Sequence, residues 1–166
     1  MSPHATYPPP PAMMAAFADA VYRVYDQGQR IDLQLGQPNP AMAAVLARHG
    51  ATHGGLVTGE NPFGQTQSAQ ENAAANAALA EAIDALGLPR LPSDGGSEDG
   101  SWNEPGFLVI GGEGQPVDAL ARRFRQAAWV RIEADGSAHL AACAYPLASS
   151  GLTPCWPPHV LADDAG

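Results

Sequence analysis

Between residues 58 and 76 the chain collects side chains that read hydrogen bonds: Thr58, Glu60, Asn61, Gln65, Asn72 and Asn76. The stretch "TGENPFGQTQSAQEN" follows a short apolar run and sets glycines on either side of Pro62. Amides and a hydroxyl at this density can orient a small polar ligand, or can tie a loop onto the helix that follows it. Further along, "SWNEPGFLV" brings Trp102 and Glu104 to the head of an apolar strand. A carboxylate placed there beside a tryptophan suits a general base or a ligand hook. It suits equally well an ion pair with Arg122 or Arg123.

The segment that must position the amides is "SAQENAAANAALAEAIDALG", the strongest helix signal in the chain. Ser68 and Glu71 have the spacing of a capping box, and Gly87 marks the far end. At about 100° per residue, Asn72, Asn76, Leu79, Ile83 and Leu86 fall within about 80° of one another. The apolar stripe therefore runs into two asparagines at its N-terminal end. A buried amide without a partner costs about 1–3 kcal/mol, so Asn72 and Asn76 must bond the returning loop or border a wet pocket with Thr58, Asn61 and Gln65. The two are compatible, because a pinned loop is also a preorganised site. Asn61 precedes a proline and is expected to be extended, while free N–H groups at the start of the helix could hold an anion.

Other motifs carry less. "GGEGQP" (111–116) is a strand–glycine loop–helix junction lacking the third glycine of a dinucleotide fingerprint, and reads as an ordinary connection. No G-K-[ST] and no G-x-S-x-G occurs. Asp94, Glu98 and Asp99 lie in "PSDGGSEDG" (92–100), read as a solvated acidic loop rather than a calcium loop. The five histidines are scattered without metal-ligand spacing. Neither a metal nor a cofactor is expected.

The remaining elements form a frame. "AMMAAFADA" reads as a short helix after a proline-rich leader (1–11), and residues 21–25 pair with 30–36 across "DQG" as a hairpin. A helix starts after Asn39 with Pro40 in its first turn and stops at Gly50, and "THGGLVTG" is a short buried strand. "GFLVIGG" (106–112) is the most apolar strand and so the central one. "PVDALARRFRQ" is a helix, and residues 129–133 and 139–145 close a hairpin around Asp135-Gly136. The expected architecture is one α+β domain over 12–145, with a mixed or mostly antiparallel sheet and about three helices packed on one main face. Residues 146–166 read as a flexible acidic tail rich in proline and glycine.

Composition narrows the function. Eight Lys and Arg stand against 17 Asp and Glu, a net charge of −9. Such a surface repels phosphate backbones, so nucleic acid is not the expected partner. "ARRFRQ" (121–126) is the one basic stretch, and reads as a solvated helix face. No apolar run approaches the length of a membrane span, and no secretory signal pattern opens the chain. A cytoplasmic location follows as the expectation, with Cys143 and Cys155 reduced and structural.

Three segments taken together, "LVTGENPFGQTQSAQENAAANAALAEAIDALG", "GSWNEPGFLVIGG" and "ALARRFRQAAWV", resemble the bacterial domain-of-unknown-function family 3293. That family's pattern is a strand ending T-A-x-N-P, an asparagine-bearing helix, a W-x-E-x-S-F-L-V strand and an F-G-Q-x-A junction. The order and spacing agree over roughly residues 20 to 142. The resemblance points to Thr58, Asn61, Pro62, Asn72, Trp102, Glu104, Phe107 and Gln126. Gly59, Gly106 and Arg125 stand where the pattern has alanine, serine and glycine, and the arginine replaces a residue suited to a tight turn. The family supplies no activity.

The site expected from these readings has Glu104 as the acid/base candidate and Thr58, Asn61, Gln65, Asn72, Asn76 and Gln126 as ligand contacts. Its ligand is a small polar molecule, nucleotide-like ones included. The alternative is a protein-interaction module whose Asn/Glu cluster is purely architectural.

Overall fold

A computed structural model describes residues 9, 11–64 and 66–143. The expected leader (apart from residues 9 and 11), the expected tail and Gln65 lie outside the described residues. In chain order the elements are α1 (Pro11–Asp19), β1 (Val21–Asp26), β2 (Gln29–Leu33), α2 (Pro40–Arg48) and β3 (Gly54–Val57). There follow α3 (Ala69–Ala85), β4 (Arg90–Gly96), β5 (Asn103–Ile110), α4 (Gln115–Arg123), β6 (Ala128–Ile132) and β7 (Ala138–Ala142). The seven strands form one sheet in the order β2-β1-β4-β5-β3-β6-β7, and every neighbouring pair is antiparallel. This is the expected α+β class, with β5 in the middle.

Local chemistry explains most boundaries. Gln27 and Gly28 both take positive φ (52° and 79°) at the β1–β2 turn, the hand that matches the twist of the flanking strands. The Asn39 side chain caps α2 by accepting from the Met42 N–H at 3.0 Å, with Pro40 in the first turn. Ser68 and Glu71 make the reciprocal capping box of α3, with both bonds at 3.1 Å.

The sheet is curled. Beyond β2, Gly36 N–H donates to the carbonyl of Ala138 at the head of β7 (2.8 Å), and Leu35 bridges Ala138 in parallel. The two outer strands thus meet at one end, where α2 sets Met42, Val45 and Leu46 into the concave side against Leu108, Ile110 and Ile132. On the convex side, Leu79 and Ile83 of α3 and Val117, Leu120 and Ala121 of α4 pack on Val57, Val109 and Trp129. Helices therefore cover both faces, not one main face. Strand alternation forces this: Leu56, Leu108 and Ile110 point one way while Val57 and Val109 point the other, and both sets are buried. Leu86, expected at the end of the α3 core stripe, is instead 49% exposed.

Residues 92–100, expected to form one acidic loop, do not all do so. The first five of these belong to β4, an interior strand aligned with β5 from Arg90–Val109 to Gly96–Asn103 and with β1 from Val24–Ser93 to Val21–Gly96. Proline, aspartate and two glycines give this segment low strand propensity. Pairing on both sides overrides it, and Pro92 lies just past the last β1 pair, where no neighbour needs its missing N–H. Glycine is required at position 96, where a Cβ would collide with the Trp102 carbonyl. Asp94 is accordingly not a loop residue: it bonds Arg23 Nη1 at 3.0 Å and the Tyr25 hydroxyl at 2.6 Å.

Candidate functional site

At the end of the sheet away from α2, the concave side opens into a cavity of about 60 Å³. Its wall includes Tyr22, Leu56, Trp102, Val130 and Leu140, with Phe17 contributed by α1. Its floor is made of small residues from three strands, Ser93, Gly95, Gly106 and Ala128. Thr58, Glu104 and Gln126 supply polar groups. The α1 helix is held beside it by the Tyr22 hydroxyl, which donates to the Phe17 carbonyl (2.7 Å), and by Met13 and Phe17 packed near Trp102 and Ala127. Burial, with the nearby Glu104 charge second, raises the Tyr22 phenol well above the ordinary tyrosine range, so Tyr22 stays a neutral donor.

The loop leaving β3 forms one side of this opening, and the asparagines hold it. Asn76 Oδ1 accepts from Gly59 N–H (2.8 Å), while its Nδ2 donates to Glu60 Oε2 (3.0 Å) and to the Pro105 carbonyl (2.9 Å). Asn72 Oδ1 accepts from Asn61 N–H, and Asn72 Nδ2 donates to Asn61 Oδ1, both at 3.0 Å. Asn61 Oδ1 also accepts from Gln67 N–H (3.0 Å), and Asn61 Nδ2 donates to Glu104 Oε1 (3.1 Å). Gln126 Nε2 donates to the carbonyls of Glu60 (3.1 Å) and Phe124 (3.2 Å). The Thr58 hydroxyl donates to the Pro105 carbonyl (2.6 Å) and accepts from Glu60 N–H (3.0 Å).

Asn61, Asn72, Asn76, Glu104 and Gln126 thus converge on one loop, with differing roles. Glu104, Gln126 and Thr58 reach the cavity wall; Asn61, Asn72 and Asn76 stand behind it with their amides spent on the loop. Asn61 is not extended: its φ is +45°. The bias before proline yields because the bonds to Asn72, Glu104 and Gln67 fix both its backbone and side chain, and asparagine tolerates the left-handed region. The N–H groups opening α3 are not left for an anion, since Ser68 takes that of Glu71 and the Glu71 carboxylate stands in the first turn. Arg122 pairs with Asp118 (2.7 Å), so it is not the partner of Glu104.

The positions departing from the family pattern fit their surroundings. A Cβ on Gly106 would collide with the Val57 carbonyl, and one on Gly59 would lie 2.9 Å from the Ala75 carbonyl. Arg125 makes the tight turn despite its side chain, at φ +58°. Its N–H reaches the Arg122 carbonyl (3.1 Å) and that of Gln126 reaches Ala121 (2.8 Å), a paired left-handed cap on α4. That cap delivers Gln126 to the loop, and the Arg125 carbonyl accepts from Phe63 N–H (2.8 Å).

Burial raises the Glu60 carboxyl above its usual range. Burial likewise pushes the Cys143 thiol up to about 11; Cys155 lies outside the described residues. No group of three metal-ligating side chains occurs among the described residues. None of the described helices is long and apolar enough to cross a membrane. Sequence reasoning missed Ser93 and Tyr22; Ser93 lies in a segment whose low strand propensity gave no signal of a strand.

Fold and site together define an α+β domain whose curled antiparallel sheet carries a small cavity bounded by an asparagine-pinned loop. Residues 57–129 match the model of a family described as "Protein of unknown function (DUF3293)", which supports the resemblance over this narrower span. No curated protein and no solved structure matches the chain.

Proposed function

We propose that this is a cytoplasmic binding protein that takes a small polar ligand into the cavity at the mouth of the sheet. Glu104 and Gln126 contact the ligand, and Glu104 is the acid/base candidate should a reaction follow. The observation that carries this reading is the attachment of both residues to consecutive positions of one loop. Glu104 is held through Asn61 and Gln126 through the Glu60 carbonyl. Functional side chains need such support, since positional errors near 1 Å are costly. A thermal-shift screen of the full chain against small polar metabolites tests it. Ligands that raise Tm in the native chain, and lose that effect in Glu104→Gln, support the assignment; undiminished affinity in the variant refutes it.

A second reading draws on the internally satisfied amides of Asn61, Asn72 and Asn76. In it the cluster is architectural and the functional partner is another protein. Asn61→Ala and Glu104→Ala would then lower stability without altering the response to any small ligand.

A further inference from the structure

Ser93, Gln126 and Ser137 are buried polar residues. The Ser137 hydroxyl is satisfied within its own hairpin, by Asp135 Oδ1 at 2.6 Å and His139 Nε2 at 3.0 Å. The other two are not, and both line the cavity at the mouth of the sheet. Ser93 is 6% exposed, and its hydroxyl has no hydrogen-bond partner among the described residues. Gln126 is likewise 6% exposed. Its Nε2 donates to the carbonyls of Glu60 and Phe124, which uses both amide hydrogens. The amide is thereby fixed, because the flipped group would set Oε1 against two carbonyl oxygens. Oε1 itself accepts no hydrogen bond among the described residues. Leaving such groups unpaired is costly, and buried polar atoms in native proteins are almost always satisfied.

The unmet demand is for an uncharged partner. Gln126 Oε1 can only accept, so it calls for an N–H or O–H donor and turns away a carboxylate or phosphate. The Ser93 hydroxyl can donate or accept. Neither group carries a charge, so neither repays the desolvation of an ionised ligand. The space beside them has a cause in the register: Ser93 stands opposite Gly106, and Gly95 and Ala128 continue a floor without large side chains. Leu56, Val130 and Leu140 make part of the wall apolar. At roughly 10–15 Å³ for each water-sized position, 60 Å³ corresponds to about four to six heavy atoms, too few for a nucleotide.

We infer that the cavity takes a small neutral molecule with a short apolar body and a head that both donates and accepts hydrogen bonds, as an alcohol or a primary amide does. The head donates to Gln126 Oε1 and bonds the Ser93 hydroxyl, while the body lies against Leu56, Val130 and Leu140. This rests on the reading that the cavity binds a small polar ligand, and it narrows that ligand to an uncharged class.

The test is isothermal calorimetry on the full chain at pH 7 with butyramide and 1-butanol, against 2-butanone, butyrate and butylammonium as controls of similar size. Butyramide, 1-butanol or both bind at about millimolar Kd, as their few heavy atoms allow. The ketone, which has no donor for Gln126, binds at least about threefold more weakly, and the two ions at least about tenfold more weakly. Ser93→Ala weakens the bound probe by about three- to tenfold, the worth of one hydrogen bond. The same variant keeps or raises the Tm of the unliganded protein, because the deleted hydroxyl has no partner to lose. A clear fall in that Tm would reveal a partner within the chain and overturns the inference, as does an unchanged affinity in Ser93→Ala. Equal or tighter binding of a control overturns the neutral, donating class and leaves the ligand reading standing. Binding by none of the five overturns both.

Discussion

Asn61 offers the sharpest test of how the loop is held. Its side chain makes three hydrogen bonds: a donor to Glu104 Oε1 at 3.1 Å, and Oδ1 accepting from Gln67 N–H and Asn72 Nδ2 at 3.0 Å each. Neutral bonds contribute about 1 kcal/mol each and one to a charged group about 1.5–3 kcal/mol. The site is half-buried, which reduces these values. Alanine also tolerates φ +45° less well than asparagine. Asn61→Ala should therefore lose about 2–4 kcal/mol, read by urea unfolding at pH 7. Asn61→Gly removes the same bonds but not the backbone tolerance, and should recover about 1 kcal/mol of the loss. Asn61→Asp keeps the accepting oxygen and places a second carboxylate oxygen against Glu104. Its deficit should be largest when both groups are ionised and shrink as pH falls through the carboxylate range, where a proton restores the donor. The deficit of Asn61→Ala should shrink less over the same range, because it loses one bond to a charged carboxylate and relieves no repulsion between two of them. A loss below about 0.5 kcal/mol for Asn61→Ala, or a pH-independent deficit for Asn61→Asp, would refute the network as described.

Two further outcomes follow from the same loop. Arg125→Gly relieves a left-handed side chain at φ +58° without removing the backbone bonds of the cap. Offset by the extra freedom of glycine when unfolded, the gain should be about 0.5–1 kcal/mol, seen as a higher Tm; a lower Tm would show that the guanidinium stabilises more than the backbone strain costs. Glu60 is raised above its usual range by burial, so the folded chain holds its proton more tightly than the unfolded one. Its contribution is therefore full below the ordinary glutamate pKa and is lost as pH rises through the folded value. Glu60→Gln stays neutral and keeps an oxygen for Asn76, so it should be more stable than the native chain at pH 7 and no more stable at pH 3.5. An advantage that persists at the lower pH would discount the burial argument.

What the sequence made legible depended on whether local chemistry or distant pairing decided the structure. The capping box at Ser68 and Glu71, the Asn39-Pro40 helix start and both hairpins are short-range devices, and each was readable from a few residues. The helical spacing of Asn72 and Asn76 placed both amides on the loop that they bind. β4 was not readable, because Pro92, Asp94, Gly95 and Gly96 become a strand only through partners on both sides. Its loss from the sequence reading also hid the cavity, since Ser93 and Gly95 form part of the floor. The conformation of Asn61 failed for a related reason. The rule for a residue before proline is local, and it was outweighed by bonds to Asn72 on α3 and Glu104 on β5.

The amides with the strongest sequence signal are thus not the ones best placed to touch a ligand. Asn72 and Asn76 spend their hydrogen bonds on residues 59–61 and on Pro105. Glu104 and Gln126 come from different parts of the chain, one at the start of β5 and one after α4. Their only shared support among the bonds described is the Glu60-Asn61 pair. Fixing that pair to a 17-residue helix makes the spacing of the two cavity-facing groups a property of α3. The small side chains of Ser93, Gly95 and Gly106 then leave space between them. An asparagine-rich helix face and a glycine-rich strand, unrelated when read along the chain, are the two halves of one arrangement: the first sets where the polar groups stand, and the second leaves the space between them.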